Sequence, residues 1–200
     1  PHPYSYKTSL NVSDKVLMKK IMIDHDIPTS HYSQFSSVDS FDDSGFVYPL
    51  IVKPSDSNGS KGVRKADNAA EVKIYLKDAL KISRNNKAVV EEFVEGREIG
   101  LDCYIKNGKT HIIFTRQRRN IKSDRDTIQQ IYGSFWPAYL PNSVISRFKE
   151  IGNNIAEAFK LDNTPLLIQA IYKDDSNEIK VLEFAPRIGG GDNYKIIELS

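Results

Sequence analysis

Apolar positions recur along the chain with two periods, and the changes of period mark its elements. Leu17, Met18, Ile21 and Met22 share one helical face. A helix is therefore predicted over residues 14–26, capped by Ser13 and stopped by Ile27-Pro28-Thr29. Residues 33–45, rich in Ser and Asp, read as loop. Residues 46–53 form an apolar strand ahead of a small-residue loop over 54–62. Asp67 or Asn68 caps the next helix, with Glu71 placed for a capping box. Val72, Tyr75, Leu76, Ala79 and Leu80 give that helix its apolar stripe. Residues 88–94 are a strand, and Ile99, Leu101, Cys103 and Ile105 alternate along another. Asn107-Gly108 is a type I′ hairpin signal, with the return strand over 110–114. Residues 116–130 are polar and basic. Pro141-Asn-Ser143 opens a long helix with Val144, Phe148, Ile151, Ile155 and Phe159 on one face. Strands over 166–172 and 178–184 flank a turn at 173–177, and residues 194–200 begin a further helix. Helices mixed with hairpins, without regular βαβ alternation, predict an α+β fold with antiparallel sheets.

Composition narrows the functional classes. Hydrophobic residues are 40% of the 200-residue chain, enough for a real core. Lys plus Arg number 28 and Asp plus Glu 26, a net charge of +2, too balanced for a dedicated nucleic-acid binder. No apolar run reaches the roughly 18–20 residues that span a bilayer. Cys103 is the single cysteine, so no internal disulfide forms and a reducing, cytoplasmic setting is expected. Residues 1–6, PHPYSY, lack an initiator Met and a leader pattern, and the last helix reads as cut short. The expectation is a fragment of a longer protein.

Three segments carry candidate chemistry. SDSNGSKG at residues 55–62 follows a strand ending in Lys53. Small residues let backbone N–H groups approach an anion, and Gly59 and Gly62 permit unusual backbone angles. A solvent hairpin loop reads almost the same way. VVEEFVEGRE at 89–98 runs an apolar strand into carboxylates and a turn at Gly96. Its backbone could meet a purine edge and a later Glu could hold ribose hydroxyls, although an edge strand with solvated acids is the simpler reading. VLEFAPRIGGG at 181–191 sets Glu183 in an apolar strand, with Arg187 four residues on beside a glycine loop. A carboxylate there needs a cation, either a metal or the arginine itself.

In this order and spacing, together with SDK at 13–15 and DIPT at 26–29, these segments resemble the ATP-grasp superfamily over nearly the whole chain. They are also similar to the ATP-grasp portion of the carbamoyl-phosphate synthase large chain. The resemblance implies two α+β lobes clamping ATP. Residues 1–30 would be linker and first helix, 31–93 the small lobe with a phosphate flap, and 94–200 the large lobe with the metal and substrate site. Lys15 and Lys53 resemble the phosphate-binding lysines, and Ser55, Asn58, Gly59, Ser60 and Gly62 the flap. Glu91, Glu92, Phe93 and Val94 resemble the adenine hinge, and Glu98 the ribose acid. Glu183 and Gln169 stand where magnesium, or manganese in its place, is bound. Arg187 and Lys53 are the implied catalytic pair, and Arg116, Arg187 and Gly190 the implied substrate contacts.

Two departures bear on the metal. Ala185 replaces a common asparagine ligand and Gln169 a common acid, so Asp192 or Asn193 could be borrowed. The implied activity is ATP-dependent joining of a small carboxylate to an amine through an acyl phosphate. Bicarbonate activation of the carbamoyl-phosphate-synthase or biotin-carboxylase kind, and an ATP-binding module without catalysis, stay open. No nucleic-acid or membrane partner is implied, and a homodimer stays open. TRQRRNIKSDR at 115–125 holds five cations. Arg116, at a strand end, is the strongest candidate for an anionic substrate, while a solvated loop is the default for any one of them. Cys103 reads as core.

Overall fold

The computed structural model of the protein describes residues 4–57, 59–120, 131–190 and 193–199. Two helices open it. Helix α1 (Tyr6–Ser13) is capped by Ser5, whose hydroxyl accepts the Thr8 N–H, and α2 (Lys15–Asp24) by Asp14, which accepts the N–H groups of Val16 and Leu17. The single helix predicted over 14–26 with a Ser13 cap is thus corrected. Ser13 ends α1, its hydroxyl turned back to the Ser9 carbonyl at 2.7 Å, and the carboxylate of Asp14 is the cap.

Strands β1 (Tyr32–Phe35), β2 (Leu50–Pro54) and β3 (Arg64–Ala66) follow, then α3 (Ala69–Ile82) and β4 (Ala88–Glu92). The four strands form one sheet in the order β1-β4-β2-β3. β1 lies in a stretch read as loop. Its Tyr-Ser-Gln-Phe has a single buried position, Phe35, so pattern is silent there and pairing with β4 makes the strand. Helix α3 carries the capping box as read: Asn68 accepts the Glu71 N–H, and the Glu71 carboxylate accepts the Asp67 N–H. Leu50, Val52, Val72, Leu76, Ala79, Ala88 and Val90 close the small core between α3 and this sheet. Alternation then sends Ile51, Lys53, Val89 and Glu91 to the opposite face.

The second sheet is β7-β6-β5-β8-β9, antiparallel throughout. Its strands are β5 (Arg97–Lys106), β6 (Lys109–Asn120), β7 (Ile131–Phe135), β8 (Thr164–Lys173) and β9 (Glu178–Ala185). The β5–β6 turn has Asn107 and Gly108 at φ 54 and 69, the type I′ geometry read from the sequence. β6 runs to Asn120, not to residue 114. Arg116 and Arg118 therefore sit within a strand, not at its end or in the solvated loop that is the default reading for the cations of 115–125. Residues 121–130 lie outside the described residues.

Helix α4 (Asn142–Phe159) lays Val144, Phe148, Ile151, Ile155 and Phe159 on one face of this sheet, against Ile99, Leu101, Cys103, Ile105 and Ile168. Fully buried side chains of this size contribute about 1.5–3 kcal/mol each. Met18 and Met22 of α2 join this core, so the first helices belong to the larger lobe. Helix α5 (Asn193–Leu199) closes the described chain.

Candidate active site

The face of the large sheet turned away from α4 carries a charged row. Arg116 pairs across β5 with Gly100, Gly100 with Gln169 on β8, and Gln169 with Glu183 on β9. Gly100 is there because the Arg116 side chain lies over it: a Cβ would stand 2.7 Å from the guanidinium Nε. Arg116 is buried and reaches Asp102 at 3.7 Å. Asp102, 1% exposed, also accepts the Gly189 N–H at 2.5 Å and the Asn193 amide at 3.0 Å. That carboxylate thereby ties the glycine turn and the start of α5 to the sheet. Burial lowers the Arg116 pKa, Asp102 raises it, and Arg118 lowers it again.

Arg118, two residues along β6, bonds Glu98 at 2.6 Å. With the Gln169 amide oriented to satisfy its neighbours, its oxygen accepts from Arg118 Nη2 at 2.6 Å and its nitrogen donates to Glu183 Oε1 at 2.8 Å. Glu98, Arg118, Gln169 and Glu183 thus form one hydrogen-bonded line across four strands. Arg187, exposed beyond β9, donates to the Ile188 carbonyl at 2.9 Å and contributes to the field on Arg116.

The small sheet and helix α2 supply the facing charges. Lys15 opens α2, where its N–H donates to the Ser55 carbonyl at 2.8 Å and its ammonium to the Ser57 carbonyl of the loop after β2. Burial pushes the Lys15 ammonium down, Glu183 pulls it up and Lys53 pushes it down, so charges from both sheets act on the start of α2. Lys53 is paired with Glu91. Lys19, 1% exposed, holds the other oxygen of Glu91 at 2.7 Å.

The remaining predicted residues are distributed as follows. Ser55 is buried and its hydroxyl is committed to Asn85 at 2.7 Å, which in turn bonds Asp14. Gly59, Ser60 and Gly62 adopt positive φ of 65, 59 and 78, and Gly59 and Ser60 are exposed. Asn58 and Asp192 lie outside the described residues. Glu92, Phe93 and Val94 line a pocket of about 370 Å³ with Ile23, Thr29 and Lys180. The Glu92 and Phe93 N–H groups are taken by the His31 and Pro49 carbonyls. Gly190 is exposed, with open space around it.

Lys19, Asp102 and Arg118 were not singled out by sequence reasoning. A signal existed for two of them. Lys19 is four residues after Lys15, on the face that α2 buries, and Arg118 is two after Arg116, the spacing of one strand face. As for a metal, the described residues contain no cluster of three His, Cys, Asp or Glu. One carboxylate, Glu183, fits a cation such as Mg²⁺, which completes its shell with phosphate and water; the Gln169 amide, expected beside it as a ligand, turns its oxygen to Arg118 and its nitrogen to Glu183 and so offers the cation no free oxygen.

The model of the ATP-grasp domain matches residues 46–195. The chain belongs to the ATP-grasp family. A D-alanine–D-alanine ligase from Petrotoga mobilis is 32% identical over 143 residues, 69% of this chain and 46% of that protein. An L-arginine-specific L-amino acid ligase from Bacillus subtilis is 25% identical over 199 residues, 96% of this chain and 47% of that one. The chain thus spans about half the length of these curated relatives. Among solved ATP-grasp structures, biotin carboxylase from Campylobacter jejuni superposes with TM-score 0.81 at 16% identity, over 98% of this chain and 44% of its own. L-amino acid ligase from Bacillus licheniformis gives 0.77 at 19%, over 96% and 44%. At those identities the likeness is one of fold. Among the described residues no helix is long and apolar enough to cross a membrane.

Proposed function

We propose that this chain is the nucleotide-clamping part of an ATP- and magnesium-dependent carboxylate–amine ligase. The observation that carries the reading is the convergence of Lys15 at the start of α2 with Lys53, Arg116 and Arg118 on the sheet faces that also present Glu98 and Glu183. The curated relatives, which join amino acids, support the ligase class. In this reading Lys53 and Lys15 hold phosphate oxygens, the 55–62 loop covers them, and Glu98 meets the ribose. Glu183 holds Mg²⁺, which supplies charge neutralisation on the phosphates when bound. A substrate carboxylate attacks the γ-phosphorus and ADP leaves, giving an acyl phosphate. The amine then displaces phosphate and loses its proton. Arg187 and Arg116 stabilise the charge that develops on the transferred group. Such catalysis is positioning and electrostatics and needs no protein nucleophile. Cys103 is buried in the core, where burial drives its pKa up.

The test is calorimetric titration with Mg·ATP, followed by single-turnover ADP formation with pooled amino acids. Lys53→Ala removes a charge-assisted contact and should weaken Mg·ATP about tenfold to a hundredfold. An unchanged dissociation constant removes Lys53 from the site. ADP formation that bicarbonate stimulates and amino acids do not would replace the ligase reading.

A further inference from the structure

The lysine that the proposed function assigns to phosphate is not free in this structure. Lys53 is 7% exposed, and its ammonium lies against Glu91 Oε1. To reach a phosphate it must leave a carboxylate that is itself 3% exposed. A lone carboxylate at such a depth is strongly disfavoured, because no water replaces the lost partner. A buried pair of this kind would oppose nucleotide binding.

Lys19 changes that balance. Its ammonium donates to Thr29 Oγ1 at 2.7 Å and to Ser30 Oγ at 3.0 Å, and pairs with Glu91 Oε2 at 2.7 Å. Three protons meet three acceptors, so this cation is fully committed. Ser30 relays the arrangement by donating its hydroxyl to Glu91 Oε2 at 3.0 Å. Glu91 therefore keeps a cation and a hydroxyl donor on one oxygen even when the other is vacated. Two buried ammonium groups share one carboxylate: Lys19 stays, and Lys53 is in excess.

We infer that Lys19 is a positioning residue for nucleotide binding: it keeps Glu91 neutralised so that Lys53 can pass from Glu91 to a nucleotide phosphate without stranding a buried charge. Lys19 touches no substrate in this scheme. The inference rests on the proposed function, since it needs a phosphate at Lys53.

A purely structural Lys19 and this one differ in what rescues its loss. If Lys19 only fastens the segment bearing Thr29 and Ser30 to α2, removing Glu91 as well adds a second injury. If Lys19 releases Lys53, removing Glu91 removes the reason release was costly. The experiment is a double-mutant cycle read by calorimetry with Mg·AMPPNP, with folding checked by circular dichroism. The protein should bind the nucleotide, Lys19→Met should bind it about tenfold or more weakly, and Lys19→Met/Glu91→Gln should regain most of that loss. Glu91→Gln alone should bind as tightly as the parent or more tightly. Unchanged binding by Lys19→Met, or a double variant no better than Lys19→Met, overturns the inference and leaves the proposed function standing. Absence of binding by the parent protein sinks both. Should Lys19→Met not fold, Glu91→Gln decides: binding retained or tightened supports release, and a tenfold loss shows that Glu91 holds Lys53 in its working position.

Discussion

Acid should destabilise this protein through Glu91. Burial on its own would raise the Glu91 carboxyl, but Lys19 and Lys53 outweigh it and hold the group down from the usual 4.5 to about 2. At about 1.4 kcal/mol per unit, that is about 3 kcal/mol of preference for the carboxylate in the folded state. The folded pKa is the depressed one. The contribution is therefore complete above pH 4.5 and drains away as pH falls through 2. Lys19 has the opposite sign: burial lowers it to about 8, outweighing the pull of Glu91. Its penalty is in place at neutral pH and lifts between pH 8 and 10.5, so the cluster contributes little net stability near pH 7. The assay is urea unfolding from pH 7 to 2.5, comparing the protein with Glu91→Gln. At pH 7 the variant leaves two buried cations without their carboxylate and should lose about 3–5 kcal/mol. Other carboxylates titrate in both proteins and cancel in the difference. That difference should shrink by about 2 kcal/mol between pH 5 and 2.5. A difference that stays constant over this range would refute the coupling of Glu91 to its lysines.

Three further outcomes are expected. Gly152→Ala would set a Cβ 2.5 Å from Thr110 Oγ1 where α4 meets β6; overpacking of about 1–3 kcal/mol should exceed the helix-propensity gain of about 1, so a raised Tm would contradict the tight approach. Asp102→Asn removes the charge that faces Arg116 and turns an N–H₂ toward Asn193 or Gly189, and chemical denaturation should show a loss of about 3–5 kcal/mol, with less than about 1 arguing that the cluster rearranges at no cost. In hydrogen exchange the Ser55 N–H, bonded to the Lys87 carbonyl at 3.1 Å, should be protected and the exposed residues 59–61 should exchange fast, the order reversing only if the flap folds differently in solution.

Local chemistry made part of this fold legible. The α3 capping box, the Asn107-Gly108 turn and the α4 stripe depend on neighbours within four residues, and each appears as read. Helix α2 shows where such reading fails. Its apolar residues Leu17, Met18, Ile21 and Met22 predict the buried stripe, but its buried positions are Lys15, Met18, Lys19 and Met22. Hydrophobicity alone turned the helix toward Leu17, which is exposed, because two of the four buried side chains are lysines. Their burial is made possible by the Ser57 carbonyl and by Glu91, 72 residues beyond Lys19, contacts that no local period encodes. β6 hid its continuation similarly. Thr115, Arg116, Gln117 and Arg118 are all polar, so alternation between faces leaves no hydrophobic trace. The strand is written only in its pairing with β5 and β7.

The same feature that defeated the pattern gives the site its character. Charge over the whole chain is nearly even, at +2. The site gathers Lys15, Lys19, Lys53, Arg116, Arg118 and Arg187 against Glu91, Glu98, Asp102 and Glu183, an excess of two cations within one region. Such an excess opposes folding unless each buried cation has a partner; the pairs Lys19–Glu91, Lys53–Glu91, Arg116–Asp102 and Arg118–Glu98 supply it for four of them, and the Ser57 carbonyl for Lys15. Glu91, Glu98 and Asp102 therefore serve as counter-ions, and under the proposed function an incoming polyphosphate competes with them for the same cations. Under the proposed function, affinity is then the difference between two sets of ion pairs and not the sum of the new ones. Glu91 keeps Lys19 and so releases Lys53 cheaply. Asp102 has only the neutral Gly189 N–H and Asn193 amide beside Arg116, so loosening that 3.7 Å contact leaves its buried charge without a cation and costs more. The cation best placed to turn toward a ligand is the one whose carboxylate keeps a second cation, which is Lys53.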